Sequence, residues 1–271
     1  MSSTLESTST RRSGSGLGSG ESPVVVERTV KALLNELTVE GFDSISDQII
    51  AWVNKSEKER DGQTLIQVIK LVFEKATDEE TSSEIYARLC RKMMEQINPK
   101  VQDYVIKNSE GKPIASGNLF RKYLLNRCQE DFERGWVAAA ATEVQAVKEG
   151  GEESELYPDE YSAAVKARRR GLGLVRFIGE LFKLQMLTER IMHECIKKLL
   201  ANAENPEEEE IESVCKLLTT VGSLLDIPKA RAHLDVYFSR MRELTKNKNV
   251  NARMVSVLQV CDPIPCADDI H

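Results

Sequence analysis

The feature that most constrains this chain is an apolar stripe that returns, segment after segment, at spacings of three and four residues. Val30, Leu33, Leu34 and Leu37 mark it first. Leu65, Val68, Ile69 and Val72 follow, then Tyr86, Leu89, Cys90 and Met93. It comes back at Leu174, Phe177, Ile178 and Leu181, at Met192, Cys195, Ile196 and Leu199, at Ile211, Val214, Cys215 and Leu218, and at Leu234, Tyr237, Phe238 and Met241. A period near 3.6 gathers each set on one face of a helix. No comparable run alternates with a period of two, so strands are not expected. The chain holds 15 Gly, 8 Pro and 6% aromatics, a poor supply for a sandwich or barrel.

The stripes imply helix pairs over 27–37/40–54, 62–76/82–97, 117–135/159–185, 189–202/207–225 and 228–246/250–260. Thr38, Asp43, Asp61-Gly62, Thr188, Asn205-Pro206 and Pro228 supply helix starts. A spacing of about 40–45 residues per pair is that of HEAT-type repeats. The expected fold is therefore all-α, a solenoid of about five helical hairpins over 27–260, the last of them truncated. Of residues 1–22, 15 are Ser, Thr or Gly, which cannot bury enough apolar surface to order themselves. Residues 1–26 are assigned to a disordered tail, with order beginning near Pro23 or Glu27, and 261–271 to an irregular tail. Residues 137–160 carry seven acids and one Lys, with Gly150-Gly151, and read as a mobile acidic insertion.

Catalytic templates fail one by one. His193-Glu194 lacks the second histidine of a zinc-protease helix. Gly171-x-Gly173 lacks a preceding strand and has Arg176 where a third glycine belongs, so it reads as a close helix approach or kink rather than a phosphate loop. Cys261 and Cys266 have no second pair to complete a metal site. No cofactor, metal or enzymatic activity is expected. Four of the six cysteines lie in helical stripes as small core residues, which suits a reducing compartment. No run of about 20 apolar residues suggests a membrane span, and the expected location is the cytoplasm.

The net charge of −6 conceals a strong local contrast. Beside the acidic insertion, residues 161–200 hold nine Lys or Arg against three Glu. Arg168, Arg169, Arg170, Arg176 and Lys183 could follow a phosphate backbone, and Arg121, Lys122 and Arg127 form a second basic cluster. Both sets are RNA-binding candidates. The competing reading is a solvated helix face that answers nearby acids.

Six segments resemble a known family: TVKALLNELTVEGFDSISDQI, TLIQVIKLVFEKATDE, YARLCRKM, LFRKYLLNRCQEDFERGW, RRRGLGLVRFIGELFKLQMLTERIMHEC and IESVCKLLTTVG. They are similar to the middle domain of eukaryotic translation initiation factor 4 gamma, in its fungal versions, over about 27–259. The resemblance implies a crescent of five HEAT-type repeats and a non-enzymatic scaffold. It implies that the scaffold grips both lobes of the DEAD-box RNA helicase of the cap-binding complex, contacts mRNA, and in animals helps recruit ribosome-bound initiation factors. Candidate helicase contacts, chosen at helix ends and loops, are Arg28, Lys31, Asn35, Glu40, Phe120, Arg231, Asp235, Arg240 and Lys246. Phe177, Ile178, Leu181 and Phe182 are expected in the core. The chain has no cap-binding-protein motif, since no Tyr has Leu five positions on, and Pro263 and Pro265 are expected to stop the last helix. The alternative function is an RNA-binding or helicase-sequestering regulator that recruits no cap complex.

Overall fold

The computed structural model describes residues 22–148, 158–202 and 204–261, with side chains described except at 134–165, 167 and 168. Residues 149–157 of the acidic insertion, the segment before Ser22 and the segment after Cys261 lie outside the described residues. The helices are α1 (Pro23–Asn35), α2 (Phe42–Asn54), α3 (Gln63–Asp78), α4 (Ser83–Gln96), α5 (Ser116–Lys148), α6 (Pro158–Lys183), α7 (Glu189–Leu199), α8 (Glu208–Leu225), α9 (Arg231–Leu244) and α10 (Ala252–Cys261). Residues 23–26, placed in the tail by the sequence reading, open α1 behind Pro23. Residues 137–148, placed in the insertion, continue α5, and 158–160 begin α6.

Each stripe becomes the buried face of its helix, except that Leu37 lies past the end of α1 and, like Phe238, is only partly buried. In α3 the buried stripe is Leu65, Val68, Ile69 and Val72, with Phe73 and Ala76 beside them. The α3 start is set by chemistry upstream. Gly62 sits at φ 60°, a conformation that suits glycine. Glu59 accepts the Thr64 N–H at 2.9 Å, and Ser56 Oγ accepts the Leu65 N–H at 2.9 Å. Two donors that a helix start leaves unpaired are thereby satisfied. At α8 the Glu207 and Glu210 side chains close a reciprocal capping box.

The molecule is an all-α array of paired helices in a HEAT-like arrangement. Consecutive helices pack as α1 on α2, α3 on α4, α5 on α6, α7 on α8 and α9 on α10. A continuous row runs α1–α3–α6–α8–α10, while α4 adjoins both α2 and α5, and α7 adjoins α9. The row thus passes from the first helix of a pair to the second after α3. That change coincides with an element the sequence reading excluded. Between α4 and α5, β1 (Gln102–Lys107) pairs antiparallel with β2 (Pro113–Ala115). The period-two signal is missing because the buried residue of β1 is Asp103, while Tyr104 and Val105 face solvent.

The core is one continuous cluster from Val26 in α1 to Leu258 in α10. Phe177, Ile178 and Leu181 lie in it as expected, and Phe177 meets Phe73 edge-on at 5.8 Å between centroids. Gly173 explains its own presence. A Cβ there would lie 2.0 Å from the Thr77 carbonyl oxygen, so the backbones of α6 and α3 touch. Gly171 has nothing within 4 Å. No helix of the described residues is long and apolar enough to cross a membrane.

Candidate functional site

The charged surface falls into four groups, built by different elements. At one end, α1 turns Val26, Val30, Leu33 and Leu34 inward, which leaves Arg28, Lys31 and Asn35 on its outer side. Glu40, in the turn before α2, is also exposed. Lys31 is paired one turn back with Glu27 at 2.6 Å. Both groups are solvated, so the pair holds geometry rather than the fold. Beside them Val24 is 73% exposed and Val39 68%, apolar positions that the sequence reading did not select.

In α5 the expected surface cluster divides. Phe120 is 1% exposed and belongs to the core, because it lies on the same face as Leu119 and Leu124. This corrects its placement among edge residues. Arg127 turns inward too: its guanidinium lies 5.5 Å over the Phe73 ring and 3.2 Å from Asp131. Arg121 Nε donates to the Met186 carbonyl at 3.0 Å, tying α5 to the turn after α6. Lys122 is half-buried and neighbours the hairpin carboxylate, Asp103. Asp103 accepts the Tyr123 hydroxyl at 2.6 Å and the N–H groups of Val105 at 2.7 Å and Ile106 at 3.3 Å. Burial opposes its charge, yet Tyr123, the two N–H groups and Lys122 outweigh burial and hold its carboxyl below the usual carboxylate range.

A depressed carboxyl pKa stabilises the fold above the unfolded value, near 3.9, and that contribution is lost as pH falls through the folded value. Asp103→Ala should therefore cost about 2 kcal/mol at neutral pH, since it strands the donors around it. The loss should shrink as pH falls below the unfolded value and through the lower folded one. Urea melts of both proteins across pH check this; a pH-independent difference would contradict the assignment.

Among the described residues, the basic run of α6 meets carboxylates at the end of α3 and in the turn after it. Arg170 lies 3.6 Å from Asp78, and Arg176 lies 3.6 Å from Glu80. Lys216 of α8 reaches the same Glu80 carboxylate. Burial works against Glu79, but Lys75, the Tyr86 hydroxyl and the charge of Arg169 together hold its carboxyl below the ordinary value. The close approach at Gly173 places these charges together. Lys183 pairs with buried Glu180 at 2.8 Å. Arg169 is exposed, and the Arg168 side chain lies outside the described residues. Arg170, Arg176 and Lys183 thus have carboxylate partners, as the competing sequence reading allowed, but the partners come from α3, α6 and the turn after α3.

At the other end, α9 exposes Asp235 and Arg231, with Arg231 lying 3.6 Å from Asp226. Arg240 donates to the Ala201 carbonyl at 3.1 Å, and Lys246 is exposed just past the helix. His193 of α7 packs against His233 of α9 at 4.8 Å between ring centroids and pairs with Tyr237 Oη at 3.1 Å. Burial, then the neighbouring His233 and Lys197, lower the His193 pKa. A cleft of about 840 Å³ lies between α6, α8 and α10, lined by Glu80, Arg176, Lys183, Lys216, Arg253 and the two cysteines 215 and 261 among others. Among the described residues no three His, Cys, Asp or Glu side chains gather in a way that could hold a metal.

Comparison with known proteins places these surfaces in context. Residues 27–264 match the family described as the MIF4G domain. The chain is 54% identical over 237 residues to the eukaryotic translation initiation factor 4 gamma of Schizosaccharomyces pombe, covering 87% of this chain and 16% of that protein. It is 46% identical over 206 residues to the eukaryotic initiation factor 4F subunit p130 of Saccharomyces cerevisiae, covering 75% and 22% respectively. To the human eukaryotic translation initiation factor 4 gamma 3 it is 39% identical over 237 residues, covering 86% and 14%. The chain thus spans less than a quarter of the length of these relatives. The crystal structure of the MIF4G domain of Trypanosoma cruzi translation initiation factor EIF4G5 superposes with a TM-score of 0.53 at 17% identity, over 88% of this chain and 93% of that one, which supports the fold.

Proposed function

The chain belongs to the MIF4G domain family, and from that premise we propose that it is a non-enzymatic scaffold of translation initiation, working in the cytoplasm, that holds a DEAD-box RNA helicase and mRNA. The observation that carries this reading is the 54% identity to an initiation factor 4 gamma along 87% of the chain. The paired helices are read as a solenoid of five HEAT-type hairpins, the short α10 closing a reduced last one. Ribosome-bound initiation factors are further partners of the same scaffold.

The physical logic is bivalent. A stiff array that touches both lobes of a two-lobed helicase raises their effective concentration and shifts their conformational equilibrium. Residues Arg28, Lys31, Asn35 and Glu40 at one end and Arg231, Asp235, Arg240 and Lys246 at the other are offered as its helicase contacts. Phe120 is withdrawn from that set by its burial. For RNA, Lys122 and Arg169 are the favoured contacts, because Arg121, Arg127, Arg170, Arg176 and Lys183 already hold protein partners. Arg168 stays in the RNA set on its sequence position.

Two measurements test the proposal. A pull-down with the DEAD-box helicase should capture the chain at micromolar concentration, and the complex should hydrolyse ATP faster with RNA than the helicase alone. No capture would overturn the scaffold reading, and capture without stimulation would favour the sequestering alternative. RNA affinity across salt should give a slope that falls by about two when Lys122 and Arg169 are both changed to Ala. An unchanged slope would remove both residues from RNA contact.

A further inference from the structure

The geometry points to Cys215 and Cys261 as an oxidation site, a thiol pair that closes into a disulfide between α8 and α10 in the presence of a low-molecular-weight disulfide. Neither residue takes part in the contacts proposed above, so this inference stands apart from the functional reading.

The two thiols interlock across the helix pair. Cys215 Sγ lies 3.9 Å from the Val257 carbonyl oxygen, one turn before Cys261, and Cys261 Sγ lies 3.6 Å from the Cys215 carbonyl oxygen. Each sulfur therefore lies against the helix that carries the other, the side-by-side placement from which a disulfide can form. The hydrogen bond between the thiols, followed by burial, pushes Cys215 up. Both residues line the 840 Å³ cleft, and Cys261 is the more exposed of the two, so a small oxidant meets it first. Arg176, Lys183, Lys216 and Arg253 surround that cleft, against Glu80, Glu180 and Glu212, which favours an anionic reagent such as glutathione disulfide. The other described cysteines differ. Cys90, Cys128 and Cys195 are buried, and none of the three lines the cleft.

The chemistry balances as thiol–disulfide exchange. Half-exposed Cys261 loses its proton and attacks one sulfur of glutathione disulfide. That S–S bond breaks, a mixed disulfide forms, and the departing glutathione thiolate takes up a proton. The Cys215 thiol, its proton passing to the second leaving thiolate, then attacks the Cys261 sulfur. Two cysteinyl sulfurs are oxidised, and one glutathione disulfide is reduced to two glutathione thiols. The bond closes a loop across the last three helices and pins α10, which buries only Met254 and Leu258.

Trypsin separates the partners cleanly. Residues 199–216 hold Cys215 alone, and residues 254–271 hold Cys261 with Cys266. After incubation of the full chain with glutathione disulfide, mass spectrometry should show these two peptides joined. The melting midpoint should rise by about 5 °C and return on reduction. Cys261→Ser, a change at a half-exposed position, should abolish the joined peptide, and Cys266→Ser should leave it intact. A link that survives Cys261→Ser and disappears with Cys266→Ser would overturn the assignment. So would glutathione adducts alone, or a closed Cys261–Cys266 loop in place of the joined peptides.

Discussion

Gly173→Ala is expected to destabilise this protein by about 3 kcal/mol, although alanine is the better helix former. The reason is the backbone. A Cβ at position 173 would lie 2.0 Å from the Thr77 carbonyl oxygen and 2.9 Å from its carbon, so no side-chain rotation relieves the overlap. α6 must draw away from α3, and the Arg170–Asp78 and Arg176–Glu80 pairs, both at 3.6 Å, must lengthen with it. Gly171→Ala provides the control. That position has open space around it, and the substitution should stabilise the helix by about 0.5–1 kcal/mol. Denaturant melts of the two variants should therefore move in opposite directions. Equal stabilities would refute the close approach of α6 and α3.

The second large effect concerns Phe120. Its truncation to Ala should cost about 4 kcal/mol, the range for a buried aromatic that leaves a cavity. With 1% of its surface exposed it has little to offer a partner. Helicase binding measured per folded molecule should accordingly stay unchanged, while the denaturation midpoint falls sharply. Weakened binding with normal stability would restore Phe120 to the interface.

These two residues also mark how much of the molecule was legible in the sequence. The 3.6-residue stripes located the helices, because burial of an apolar face is the dominant favourable term and leaves a periodic record. The glycine pair reads in the sequence as a helix kink or a close helix approach; Gly173 makes the close approach and Gly171 does not. Phe120 is misplaced in the sequence reading because its place near a helix start suggests an edge position, whereas it shares the buried face of Leu119 and Leu124. The β hairpin left no periodic trace, since its inward residue is Asp103, held by hydrogen bonds rather than by apolar contact. The basic run on α6 was visible, but its carboxylate partners lie some 90 residues earlier, at Asp78 and Glu80. Pairing between distant helices is a property of packing, and a linear pattern of charge does not encode it.

The row α1–α3–α6–α8–α10 has a mechanical consequence. Its middle member has 26 residues, a rod about 39 Å long at the helical rise. α6 packs against α3 and α4 on one side and α8 on another. An array of short hairpins bends at every joint, like a chain. Here one long helix spans the step at which the row changes from first to second helices, so α3 and α8 are tied to the same rod and the array should bend least there.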